Sequence, residues 1–287
     1  MEYRKYGMIC LLWISCLVFG LYNDFPAVSA QTSPTTTIIF DLDGVIFTIP
    51  RYDAFRYLGL VNSVKLFFLW GGSTSITQKM FTLLDLITLP LQEEALLANN
   101  KQQPSTTYNG FSLPYIMQEW LCGTYSTEFV LSFCIEKIEL VEKTELSKQE
   151  KKLFIKMLHL FFDPAIRASL YKPIPEGIAL LKHCKKLNYQ IFLLSNNDTA
   201  LVTLLQEKYP EIFSLFDQLI ISEEVKLAKP DPAIFEYVLN HYHLDPTKTY
   251  FFDDQDINVQ AASETGIAAF TFNKSNTENV SHVPLSA

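Results

Sequence analysis

Apolar residues along this chain fall into two patterns. Short, nearly continuous apolar runs recur at "TTIIF" (Thr36–Phe40), "YQIFLLS" (Tyr189–Ser195), "QLIIS" (Gln218–Ser222), "TYFFDD" (Thr249–Asp254) and "AAFTF" (Ala268–Phe272). Each of the later runs follows a stretch with apolar residues three and four apart: "PEGIALLKHCKKL", "ALVTLLQEKYP", "PAIFEYVLNHYHL" and "INVQAASETG". Strands buried on both faces read as unbroken apolar runs, and helices between them supply the crossovers of a parallel sheet. The pattern predicts an α/β fold, a Rossmann-like parallel sheet covered by helices on both faces.

The interval between the first and second runs is far longer than a crossover helix needs. "AFRYLGLVNSVKLFFLW", "ITQKMFTLLDLITL", "TEFVLSFCIEKIELV" and "KQEKKLFIKMLHLFF" all carry helical spacing, with a polar stretch "NNKQQPSTTYNG" (Asn99–Gly110) among them. The expected organisation is a signal peptide over residues 1–30, the first strand of the core over 31–50, an inserted, mainly α-helical domain over 51–171, and the rest of the core over 172–287. "VKLFFLWGG" has two readings, helical core and membrane-seeking segment, of which helical core is preferred.

The first thirty residues read as an export signal. Arg4 and Lys5 precede the uncharged run Met8–Tyr22, and Val28 and Ala30 are the small residues of a cleavage site. That run is shorter than the roughly 20 residues a bilayer-spanning helix needs. The alternative is an uncleaved anchor formed by residues 8–22. "QTSPTT" then reads as a linker. The net charge is −8 and no Lys/Arg cluster stands out, which argues against nucleic acid as a partner. A small phosphorylated ligand needs only a few local cations. Of five cysteines, Cys122, Cys134 and Cys184 lie beyond the signal, without metal-site spacing. Export permits a Cys122–Cys134 disulfide; free buried thiols fit equally well.

Polar residues end several of the predicted strands: Asp41 and Asp43, Ser195 and Asn196, Asp253 and Asp254, with Lys226 and Lys229 after the third. In open parallel sheets, sites form outside the carboxyl ends of the strands, so these residues are expected to converge. Carboxylates aimed at one point repel unless a cation sits among them, and an all-oxygen set suits Mg²⁺. Such a site suits phosphoryl transfer, in which one carboxylate attacks phosphorus and a second moves protons, while lysine and metal neutralise the transferring group. The D-x-D spacing of Asp41 and Asp43 puts both on one side of an extended chain, with Leu42 opposite. Gly44 lets the chain turn away without a Cβ. Asp198, Asp256 and Asn258 are read as helix caps. The histidines fall in helical or tail contexts and are read as core or surface residues.

The four segments "IIFDLDGVIFT", "IFLLSNND", "LAKPDPAIFEYVL" and "YFFDDQDINVQAASETGI" resemble, in order, the four motifs of the haloacid dehalogenase-like (HAD) hydrolases. The resemblance covers about residues 36–48 and 172–272, and the insert between the first two motifs is similar to the type 1 cap of that family. The wording is nearest to the subgroup that includes sugar-phosphate phosphatases and the phosphatase domain of soluble epoxide hydrolases. It implies Asp41 as nucleophile and metal ligand, and Asp43 as acid/base with its backbone carbonyl on the metal. It implies Ser195 and Asn196 as phosphate-binding residues, and Lys229, rather than Lys226, as the partner of phosphate and Asp41. Asp254 is implied as a direct ligand and Asp253 as direct or acting through water. The dehalogenase branch lacks the second aspartate of the first motif, so Asp43 argues for phosphate chemistry.

The expected function is an exported, Mg²⁺-dependent phosphatase acting on a small phosphomonoester, as a monomer or homodimer, with no membrane contact after signal cleavage. Two other readings remain open: a phosphotransferase such as a sugar-phosphate mutase, and a non-catalytic effector on the same scaffold.

Overall fold

The computed structural model describes residues 36–59, 73–99, 107–108, 111–142 and 146–273. The export signal, most of the polar stretch and "VKLFFLWGG" lie outside the described residues. Among those described, no helix is long and apolar enough to cross a membrane.

Five strands form a parallel sheet: β1 (Thr37–Phe40), β6 (Gln190–Ser195), β7 (Gln218–Ile221), β8 (Thr249–Asp253) and β9 (Ala268–Thr271), in the order β7-β6-β1-β8-β9. Strand β1 is central, with Phe40 opposite both Leu193 and Phe252. Alternate residues face opposite sides. Ile38, Phe40, Leu193 and Phe252 join one apolar cluster, and Ile39, Phe192, Leu194 and Phe251 join the other. All five strands match the apolar runs to within a residue or two.

Helices cover the sheet where the sequence marks their starts. Asp198 caps α8 (Thr199–Lys208) by accepting from Leu201 N. Asp231 caps α11 (Pro232–His241), with proline at its first position. The crossovers are completed by α7 (Pro175–Lys186), α9 (Pro210–Phe213), α10 (Ser222–Val225) and α12 (Asp256–Glu264). The expected caps at Asp256 and Asn258 do not form: α12 is preceded by Gln255 and has no side-chain cap. Asp256 instead accepts from Thr271 Oγ1, 2.6 Å away, and Asn258 is drawn to a buried carboxylate.

Between β2 (Phe47–Thr48) and β5 (Lys172–Pro173), which pair antiparallel, runs the helical insert. It contains α1 (Arg51–Leu58), α2 (Ser73–Asn99), the short β3–β4 hairpin (Thr107–Tyr108, Phe111–Ser112), α3 (Tyr115–Leu121), α4 (Thr127–Leu140), α5 (Lys148–Phe162) and α6 (Pro164–Leu170). The sequence runs α1 on to Trp70, but the described helix stops at Gly59, whose φ of +95° leaves the helical region. Ser147 and Glu150 close a capping box on α5. The insert has its own apolar cluster, including Met80, Trp120, Val130, Cys134, Leu158 and Phe162, and Ala228 of the sheet region enters it. Cys122, Cys134 and Cys184 are free thiols, so the Cys122–Cys134 bridge is not formed.

Candidate active site

The carboxyl ends of β1, β6 and β8 bring the predicted residues together. Asp41 follows β1 directly, and its backbone N–H donates to Phe252 O at 2.9 Å, which holds it to the neighbouring strand. Leu42 is fully buried while Asp41 and Asp43 remain on the site side. Gly44 turns the chain with φ +78°, and a Cβ at this position would overlap the Asp254 carboxyl. Glycine is therefore required there for space as well as for backbone conformation.

Lys229 lies in the middle. It is 1% exposed, and its Nζ sits 2.7 Å from Asp41 Oδ1 and 2.7 Å from Asp253 Oδ2. Burial alone would lower its pKa, but the Asp253 and Asp41 carboxylates outweigh that and hold it well above the ordinary lysine value. The Phe251 ring lies beneath the ammonium, 5.4 Å from its centroid. Lys226, the competing candidate, is exposed and donates to Gly123 O of the insert at 2.7 Å. The structure thus separates the two lysines: one belongs to the acid cluster, the other to a contact between sheet region and insert.

Asp253 is fully buried and fully engaged. Besides Lys229 it accepts from Gln255 N at 2.9 Å and from Asn258 Nδ2, 3.0 Å from each oxygen. Oxygens of Asp41, Asp253 and Asp254 lie within 4.8 Å of one another. Desolvation, followed by the neighbouring carboxylates, raises the pKa of Asp41 against the opposing pull of Lys229. Asp254 is pushed up to about 6, by desolvation first and then by Asp253. Three carboxylates with one lysine among them leave negative charge uncompensated, and the donors are all hard oxygens. Such a donor set suits a hard divalent cation such as Mg²⁺. The Asp43 carboxylate is not part of it.

Ser195 is buried at the end of β6, and its Oγ accepts from Asn197 Nδ2 at 2.8 Å, leaving the hydroxyl proton to donate elsewhere. The side chain of Asn196 turns to the Lys229 backbone: Oδ1 accepts from Lys229 N at 2.9 Å and Nδ2 donates to Lys229 O at 2.7 Å. It braces the lysine loop. Among the described residues no ring nitrogen enters the acid cluster; His159, for example, pairs with Asp163 at 3.2 Å.

Four residues with a part in this site were not assigned to it from sequence. Asn258 holds Asp253. Asn197 donates to Asp43 Oδ2 at 2.8 Å. Tyr171 donates its hydroxyl to Asp43 Oδ1, and burial keeps its pKa well above the ordinary value, so it remains a proton-bearing donor. Arg167, buried, reaches Asn197, Asp198 and Tyr171 together. Asn197 carried a signal, since it lies within the strand-end segment "SNND"; the α-helical Arg167 carried none.

The haloacid dehalogenase-like hydrolase family model matches residues 35–266. An (S)-2-haloacid dehalogenase from Pseudomonas sp. is 22% identical over 200 residues, 68% of this chain and 82% of its own length. A D-ribitol-5-phosphate phosphatase from Bacteroides thetaiotaomicron is 29% identical over 90 residues, 29% of this chain and 43% of its own length. Among solved structures, a HAD family enzyme from Bacteroides thetaiotaomicron superposes with a TM-score of 0.53 at 20% identity, covering 86% of this chain and 97% of that one. The same enzyme complexed with magnesium and inorganic phosphate has a TM-score of 0.51 at 18% identity, covering 83% and 94%. By the family model, the five-stranded parallel sheet and the acid–lysine cluster at its carboxyl edge, this chain belongs to the haloacid dehalogenase-like hydrolases.

Proposed function

We propose that this hydrolase is a Mg²⁺-dependent phosphomonoesterase working through an aspartyl phosphate on Asp41. The observation that carries this reading is Asp43, a second carboxylate beside the nucleophile and supplied with two hydrogen-bond donors. A halide leaves as a stable anion and needs no proton, whereas the oxygen leaving a phosphate ester does. The dehalogenase relative therefore informs the scaffold, and Asp43 the reaction.

In this reading Asp41 attacks phosphorus and the bond to the leaving oxygen breaks, with Asp43 giving that oxygen its proton. Water then attacks the phosphoryl group, Asp43 takes the water's proton, and phosphate and free Asp41 are restored. Lys229 offsets charge on the transferring group, and the Ser195 hydroxyl donates to a phosphoryl oxygen. Asn196 acts on phosphate through its backbone N–H, since its side chain holds Lys229. Asp41, Asp254 and Asp253, with the Asp43 carbonyl, would hold Mg²⁺. When bound, Mg²⁺ supplies the positive charge that lets an anionic ester approach these carboxylates.

The substrate class is a small phosphorylated metabolite, with the helical insert acting as the cap that selects it. Magnesium and phosphate together in the Bacteroides neighbour support this ligand set. We read residues 1–30 as an export signal; N-terminal sequencing of exported protein should find Gln31 first, and a start at Met1 would overturn cleavage. The mature chain should hydrolyse p-nitrophenyl phosphate with Mg²⁺ and lose the activity in EDTA. Asp41→Asn should lower turnover by about a thousandfold or more while leaving the fold intact. Equal activity in variant and wild type would reject Asp41 as nucleophile.

A further inference from the structure

One buried cation sets the direction of two hydrogen bonds into Asp43. Arg167 lies on α6, the last helix of the insert. Its Nη2 is 2.5 Å from Asn197 Oδ1 and 3.1 Å from the Tyr171 hydroxyl oxygen, and its Nη1 is 3.3 Å from Asp198 Oδ2. The guanidinium carbon lies over the rings of Trp120 and Tyr171, 5.6 and 5.7 Å from their centroids. It stands 3.9 Å from Asp43 Oδ2, so its contact with that carboxylate is looser than these.

A guanidinium can only donate. The Asn197 amide must therefore face it with oxygen, which turns the NH₂ group towards Asp43 Oδ2 and Ser195 Oγ, each 2.8 Å away. The Tyr171 oxygen must likewise accept from Arg167, which turns its proton to Asp43 Oδ1. Both oxygens of Asp43 are thus held by donors whose polarity Arg167 dictates. Arg167 and Tyr171 flank the point where the insert returns to the sheet, just before β5.

We propose that Arg167, Tyr171 and Asn197 are positioning residues for Asp43, aiming its carboxylate at the leaving oxygen and making proton delivery depend on the seating of the insert's return segment. This inference rests on the phosphomonoesterase reading. Asp198 also caps α8, so Arg167 has structural work as well. A structural role alone would lower all activities together. A positioning role falls hardest on substrates whose leaving group needs the proton.

The test compares phenyl phosphate with p-nitrophenyl phosphate, which are similar in shape, but only the second leaves readily without protonation. The quantity read is kcat/KM with Mg²⁺, which stops at departure of the leaving group and omits the later hydrolysis. In full-chain Tyr171→Phe, the phenyl to p-nitrophenyl ratio of kcat/KM should fall by about tenfold relative to wild type, part of what a positioned acid contributes. Arg167→Lys, which keeps a charge for Asp198 but loses the fork, should shift the ratio the same way. It carries the comparison if Tyr171→Phe does not fold by circular dichroism. An unchanged ratio in the folded variants overturns the proposal alone. A wild-type chain inert towards both esters overturns the phosphatase reading and this inference with it.

Discussion

The sheet region and the helical insert each bury a lysine, and the two lysines do different work. Lys229 sits at the carboxyl edge of the sheet between the carboxylates of Asp41 and Asp253. Lys151, on α5, donates to Glu139 O at 2.6 Å, in the last turn of α4, and to the carbonyl of Val141, the residue that caps its C-terminus. A helix C-terminus has carbonyls without intrahelical partners, and a cation satisfies them and the helix dipole together. Lys151 therefore closes a helix. Lys229 compensates charges that the fold would otherwise exclude from its interior, and compensated charge at a strand edge is what chemistry can use. Burial of a charged residue is common to both regions; the kind of acceptor distinguishes site from scaffold.

The widest gap between the two regions should come from replacing each lysine with methionine. In metal-free protein, Lys229→Met strands two buried carboxylates and should cost about 3–5 kcal/mol. It should also lower phosphatase activity by about a hundredfold or more. Lys151→Met leaves two carbonyls unsatisfied and should cost about 1–3 kcal/mol, with kcat/KM unchanged wherever the protein stays folded. Urea unfolding in EDTA and parallel kinetics measure both. If the two variants lose activity alike, the distinction between the lysines fails.

A smaller effect should appear in pH. The folded-state pKa of Asp254 is raised to about 6, and that of Asp41 is raised as well. Folded protein then holds these protons more tightly than unfolded protein, so the stability they contribute is present at low pH. It is lost as pH rises from about 4 through about 6. Metal-free melting temperatures should fall across that window, and Asp254→Asn should flatten the fall. Protection by added Mg²⁺ should grow over the same range, because the ligand form is the carboxylate. Melting temperatures that rise through this window in EDTA would contradict the assignment.

The smallest effect sharpens the contact between the regions. Lys226→Met removes only the bond to Gly123 O and should leave phosphatase activity at the wild-type level. A loss approaching that of Lys229→Met would restore Lys226 as a candidate for the site.

The continuous apolar runs made the sheet legible, because a strand covered on both faces has no polar position to offer. Asp41, Ser195, Lys229, Asp253 and Asp254 were legible because polar residues at the carboxyl ends of parallel strands have one edge to converge on. Asp198 was legible as a cap from its place before an apolar helix, and the structure adds its bond to Arg167. Asp256 and Asn258 looked the same in sequence and were misread. The pull of a fully buried Asp253 on the Asn258 amide exceeds the gain from capping a helix end that can meet water.

Sequence by itself determined the parallel sheet, the order of its motifs and the gathering of acids with Lys229 at one edge. Each follows from local periodicity plus a topological rule that holds whatever the loops do. Only the tertiary structure decided that Tyr171 and Asn197 hold Asp43, across separations of 128 and 154 residues. It also decided that Arg167, which carries no signal in the sequence, donates to both of those residues. A hydrogen bond's direction depends on what every partner can donate, and those partners meet only when the insert folds back to the sheet.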